Sequence, residues 1–241
     1  MKPVALIIRR ELAAYFKGML GYVIFAVLLL LEGLMFNAWA LSSGEYRSSE
    51  VLGAFFTLTF GISTAAAILL TMRLFAEERR DETLVLLTTA PISDWQIVLG
   101  KWLSAFAMVA LFDALTLYMP ALVMVNGSIE PGHLAAGYLG LLLVGAATTA
   151  IGTLASSLTR YQVVAGVVGG AVCLGLTLMW MVGKIADPPF DAIMSYLALH
   201  NKHFLPFMKG GIHLRDVIYY VSIAFLSLLL SRQVIGARRW R

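Results

Sequence analysis

Fifty residues, Leu134 to Gly183, contain a single charged side chain, Arg160. It divides them into two uncharged runs, Leu134–Thr159 and Tyr161–Gly183. Each run is longer than the roughly 20 apolar residues a helix needs to cross a bilayer. Four more runs have the same character: Met19–Leu41, interrupted by Glu32; Val51–Met72; Trp102–Val125, interrupted by Asp113; and Val217–Ile235, with Arg232 near its end. The pattern predicts an all-α integral membrane protein: one membrane domain over residues 1–241 with six transmembrane helices. The sixth is the weakest, because its uncharged core, Val217–Ser231, has only 15 residues.

Composition agrees. Hydrophobic residues make up 60% of the chain and charged residues 13%, against about 25% charged in a soluble domain. That is too little polar surface to coat a water-soluble globule, so a soluble enzyme and a disordered chain are both excluded. Cys173 is the sole cysteine, so no disulfide forms within the chain.

Lys and Arg set the expected orientation. With the N-terminus cytoplasmic, 13 of the 18 basic residues fall inside and 5 outside. Both termini are then cytoplasmic, and the basic excess is a topology signal that does not point to nucleic acid. Residues 2–17 read as an amphipathic helix lying in the interface, with Lys2, Arg9, Arg10 and Lys17 on one arc and Val4, Ile8, Leu12, Tyr15 and Phe16 on another. The largest inner loop, Arg73–Lys101, holds a run of six charges from Glu77 to Glu82. A short helical stretch, Thr83–Thr88, follows and is stopped by Pro91. Ser93 and Gln96 have the spacing of a capping box that starts the third span. The last outer loop, residues 184–216, is apolar but too broken to span, and reads as short re-entrant or interfacial helices.

Enzyme motifs are missing. Lys101 follows one Gly and no phosphate-cradling loop, and no His lies inside a span to serve a nucleophile. His200 and His203 share a helical spacing, but with no Cys and few carboxylates beside them they read as interfacial polar side chains and not as a metal site. Glu32 and Asp113 are the carboxylates well inside spans, with no Lys or Arg at matching depth. A buried charge in a span is a functional candidate by default. They are candidates for the translocation path or its gate, against a purely structural hydrogen-bonding role. Gly166 and Gly170 form a GxxxG in the fifth span, which suits close helix packing or a dimer seam.

Along nearly its whole length the chain resembles the membrane subunit of type-2 ABC transporters, most of all the gliding-motility-type permease branch. The most specific segment is Thr71–Lys101, where Glu78, Arg79, Thr83, Leu86, Leu87, Pro91, Gly100 and Lys101 fit the family pattern. Phe204, Pro206, Phe207, Gly210, Arg215 and Asp216 fit that branch before the sixth span. Two positions depart: the family's usual Gly before the Thr is Glu82, and a frequent Glu two places after it is Val85.

The resemblance implies a non-catalytic permease of an exporter in a bacterial inner membrane. A separate ABC ATPase would bind ATP and Mg, and a second permease copy or a related permease would complete the pathway. Membrane lipids, and an accessory extracytoplasmic protein, are further partners it allows. It makes residues 2–17 an elbow helix, and makes Glu78, Arg79, Thr83, Leu84, Leu86 and Leu87 a coupling region. The rival reading is a proton-coupled secondary transporter using Glu32 and Asp113; no convincing repeat between the two halves supports it.

Overall fold

The computed structural model describes residues 2–38, 48–83, 87, 89, 91–126 and 130–237. Among these residues every regular element is helical. Helix α1 (Lys2–Lys17) turns sharply at Gly18 into α2 (Met19–Phe36). Helix α3 (Ser48–Thr71) runs through a tight turn into the short α4 (Ala76–Arg80). Then come α5 (Asp94–Leu115), α6 (Tyr118–Asn126), α7 (Pro131–Leu158) and α8 (Gln162–Ile185). Helix α9 (Phe190–Tyr196), a π-helical turn (Leu199–Phe204) and α10 (Leu205–Met208) lead to α11 (Leu214–Gly236).

Five helical stretches are long and apolar enough to cross a membrane, and six if the bent α1–α2 pair counts as one. The marginal span is therefore the first and not the sixth. The uncharged run understates α11, because Asp216 does not stop the helix: it is fully buried against His203 in the first turn.

The third span is not continuous. Helix α5 ends at Leu115 and α6 starts at Tyr118. Pro120 explains the break, since it has no N–H for the carbonyl of Thr116, and its ring crowds that carbonyl. Thr116 instead turns its hydroxyl back to donate to Asp113 O at 2.8 Å. At the start of α5 the capping box is closed in both directions: Gln96 N donates to Ser93 Oγ, and Ser93 N to Gln96 Oε1.

Helix α7 occupies the centre, packed against α11, α3, α8 and α5. Its small residues let the backbones approach. A Cβ on Gly152 would sit 1.9 Å from Thr71 Oγ1, and one on Gly169 of α8 would be 3.6 Å from the Gly152 Cα. An aromatic core of Phe55, Phe56, Phe60, Phe204, Phe207 and Tyr220 fills the end of the bundle away from α1. There the segment from α9 to α10 folds inward as a strap, with Leu199, His203, Phe204 and Phe207 buried.

Candidate functional site

Helix α1 lies across the start of α5. The approach is close enough that a Cβ on Gly100 would meet Ile7 Cβ at 2.8 Å. The next residue, Lys101, is 1% exposed. Its Nζ donates to Leu74 O at 2.7 Å and lies 3.0 Å from both Glu11 Oε1 and Glu78 Oε1. Arg10 closes the group, with Nη2 at 2.6 Å from Glu11 Oε1 and 2.5 Å from Glu78 Oε1. Two cations thus neutralise two anions at a junction of α1, α4, α5 and the turn after α3. Taking a charge out of water costs several kcal/mol unless it is paired and hydrogen-bonded, as these are. Burial opposes ionisation of Glu11, but Lys101 and Arg10 outweigh it and hold the carboxyl below its usual range. Nearby, Arg73 lies over the Tyr15 ring at 4.2 Å, and Tyr15 donates to Leu70 O at 2.7 Å.

Of the six expected coupling residues, Glu78 is part of this junction, and Arg79, Thr83 and Leu87 lie beside it. Arg79 donates to Ser157 O at 3.2 Å, and Thr83 Oγ1 to Glu78 O at 3.4 Å. Ser156 Oγ takes the N–H groups of Phe75 and Ala76 at 3.0 and 3.1 Å, fixing α4 to the end of α7. Leu84 and Leu86 lie outside the described residues. Leu87 is helical and half-buried against the cluster of Leu74, Phe75 and Ile97. Glu82 has a φ of 57°, the left-handed conformation that glycine adopts without strain. The turn therefore keeps a glycine-like geometry with a glutamate in place. A cleft of about 580 Å³ lies between α1 and this loop, lined by Arg10, Glu11, Glu77, Glu78, Thr83 and Leu87.

The sequence reading singled out neither Arg10 nor Glu11 for this site. A signal was present: Glu11 sits inside the apolar stripe of α1, four residues from both Ile7 and Tyr15, which are buried. A lone carboxylate in such a stripe implies a buried cation elsewhere.

The second constellation lies within the bundle. Glu32 on α2 is fully buried, and its Oε1 is 2.6 Å from Thr59 Oγ1 on α3. Asp113 on α5 is 1% exposed and within electrostatic range of Glu32. Ser63 faces Asp113 without completing a hydrogen bond. Thr116 and Tyr138 pair beside it at 3.0 Å. The structure therefore brings together two acids that the sequence shows only as separate interruptions.

The two glycines of the fifth span point differently. A Cβ on Gly166 would lie 3.4 Å from Met72 Sδ of the same chain, whereas Gly170 meets nothing within 4 Å. Gly170 opens onto a cleft of about 690 Å³ lined by Thr57, Phe60, Leu174, Trp180 and Asn201. His203, read from sequence only as an interfacial side chain, is fully buried. Its Nδ1 is 2.7 Å from Asp216 Oδ1 and its Nε2 donates to Tyr196 O at 2.8 Å, with the ring stacked on Tyr219.

A family model described as ABC-2 family transporter protein matches residues 32–188. This chain belongs to that family. The match covers well over half of the permease, from Glu32 near the end of α2 to the residues just before α9, and includes both buried acids, α4 and Lys101. A search of curated proteins returns no match. Membership and the apolar helices together make the permease a multi-pass membrane component of an ABC transporter. Such a component is typically non-catalytic and works with an ABC ATPase.

Proposed function

We propose that this permease forms the translocation pathway of an ATP-driven exporter in a bacterial inner membrane, most like the gliding-motility-type branch, with both termini cytoplasmic. ATP and Mg bind in a separate ATPase subunit. The stroke of that subunit enters through the loop 73–101, at Glu78, Arg79, Thr83, Leu84, Leu86 and Leu87, with α1 as the elbow helix. A second copy or a related permease completes the pathway, with the Gly170 face of α8 as the candidate seam. Glu32 and Asp113 are read as part of its gate.

The observation that carries this reading is the buried junction around Lys101. A loop that merely connected two spans would have no reason to bring Glu78 and a buried Lys101 against Glu11, on a helix 90 residues away in sequence from Lys101. Because Lys101 pairs with both Glu78 and Glu11, a displacement of α4 moves the start of α5 and α1 together. Closure of a docked ATPase is then transmitted as a population shift between bundle states, to the extent that docking differs between them.

The test is purification of the solubilised permease with its ATPase, beside a variant carrying Leu84→Asp and Leu86→Asp. Loss of the ATPase with an unchanged permease melting temperature supports the proposal. An intact permease that binds no ABC ATPase overturns it.

A further inference from the structure

The acid pair inside the bundle contains more acceptors than donors. Glu32 Oε2 and both carboxyl oxygens of Asp113 are buried with no hydrogen-bond partner among the described residues, and so is Ser63 Oγ. The titratable side chains within range are Tyr118 and Tyr138, both neutral as phenols. No Lys, Arg or His of the described residues forms an ion pair with either acid. Two ionised carboxylates in such a place would repel each other and carry an uncompensated desolvation cost.

Thr59 adds a geometric constraint. Its single hydroxyl hydrogen faces two oxygens, Phe55 O at 3.0 Å and Glu32 Oε1 at 2.6 Å. Either the two oxygens share that hydrogen, or Thr59 donates to Phe55 O and a protonated Glu32 donates to Thr59 Oγ1.

We propose that Glu32 and Asp113 form an intramembrane proton-binding site, in which both acids carry protons while the bundle is closed around them. The proton is the ligand, held by α2 and α5 and enclosed by Thr59 and Ser63 of α3 and by Tyr138 of α7. When α2 or α5 separates from α3, water reaches the carboxyls, and a proton passes from carboxyl oxygen to water. Proton release then accompanies opening, and by linkage acid favours the closed bundle. This deepens the gating role given to the pair, but it does not depend on the coupling loop.

Infrared difference spectroscopy of the permease–ATPase complex in liposomes tests it, with Glu32→Gln and Asp113→Asn as separate variants. Wild type minus either variant, at neutral pH without nucleotide, should show the carbonyl stretch of a protonated carboxylic acid. A carboxylate stretch in its place overturns the proposal. So does a protonated band that excess sodium converts to carboxylate, since the site would then be one for a metal cation. Trapping with ATP and vanadate should convert the band to carboxylate, and a band that persists through a confirmed opening overturns the release step. The nucleotide-free spectra need no ATPase turnover. Failure there leaves the coupling reading untouched, and failure to bind ATPase leaves those spectra interpretable.

Discussion

Lys101 and Glu11 stand 90 residues apart in sequence and 3.0 Å apart in space. That pairing fastens α1 to the membrane bundle at the point where α5 begins. Removing the cation should show how much of the end of the bundle depends on it. Lys101→Met leaves Glu11 and Glu78 facing each other with Arg10 as their remaining partner. Breaking a buried pair from one side costs about 3–5 kcal/mol. A fall in melting temperature much larger than that of Arg9→Met, an exposed residue on the same helix, is the expected outcome.

The same junction predicts a pH dependence. The folded-state value of Glu11 is lowered from 4.5, so folding favours its ionised form. Its contribution is fully present above about 4.5 and is lost as the pH falls below that. Melting curves taken from neutral into acid should therefore fall more steeply for wild type than for Glu11→Gln. Parallel curves would mean that the carboxyl's charge contributes nothing to the fold.

Glu82 occupies a left-handed position with a φ of 57°. A side chain there costs about 1–2 kcal/mol relative to glycine. Glu82→Gly should raise the melting temperature modestly, and Glu82→Val should lower it, because a β-branched residue tolerates that conformation least.

Glycine positions divide into those the chain itself fills and those it leaves open. Gly152→Ala forces Thr71 to move and should destabilise by about 1–3 kcal/mol. Gly170→Phe meets nothing within the chain at the Cβ, so the monomer's melting temperature should hold. If the α8 face seats a second copy, cross-linking between copies should fall in that variant. Unchanged cross-linking would remove Gly170 from the seam.

Much of the architecture was legible because membrane spans announce themselves by length and absence of charge. The capping box at Ser93 and Gln96 was equally readable, being a local pattern with a local cause. The partners inside the bundle were not. In a span, residues facing lipid and residues facing neighbouring helices are both apolar, so the run from Trp102 to Val125 says nothing about which side Asp113 faces. That Glu32 and Asp113 meet follows from how α2, α3 and α5 pack. The break before α6 could have been read from Pro120, whose missing N–H is a local fact. The junction at Lys101 lay between these cases: Glu11 stood out in its stripe, while its partner was on another helix.

At the far end of the bundle, α11 grips the strap through main-chain oxygens. Tyr219 donates to Leu197 O at 2.6 Å, Tyr220 to Leu199 O at 2.7 Å, and His203, held by Asp216, to Tyr196 O. A carbonyl is the same whichever residue bears it. Leu197, which is 36% exposed, can therefore be replaced without removing the oxygen that Tyr219 binds. The outward surface of this segment can thus be altered without loosening its attachment to the helix beneath.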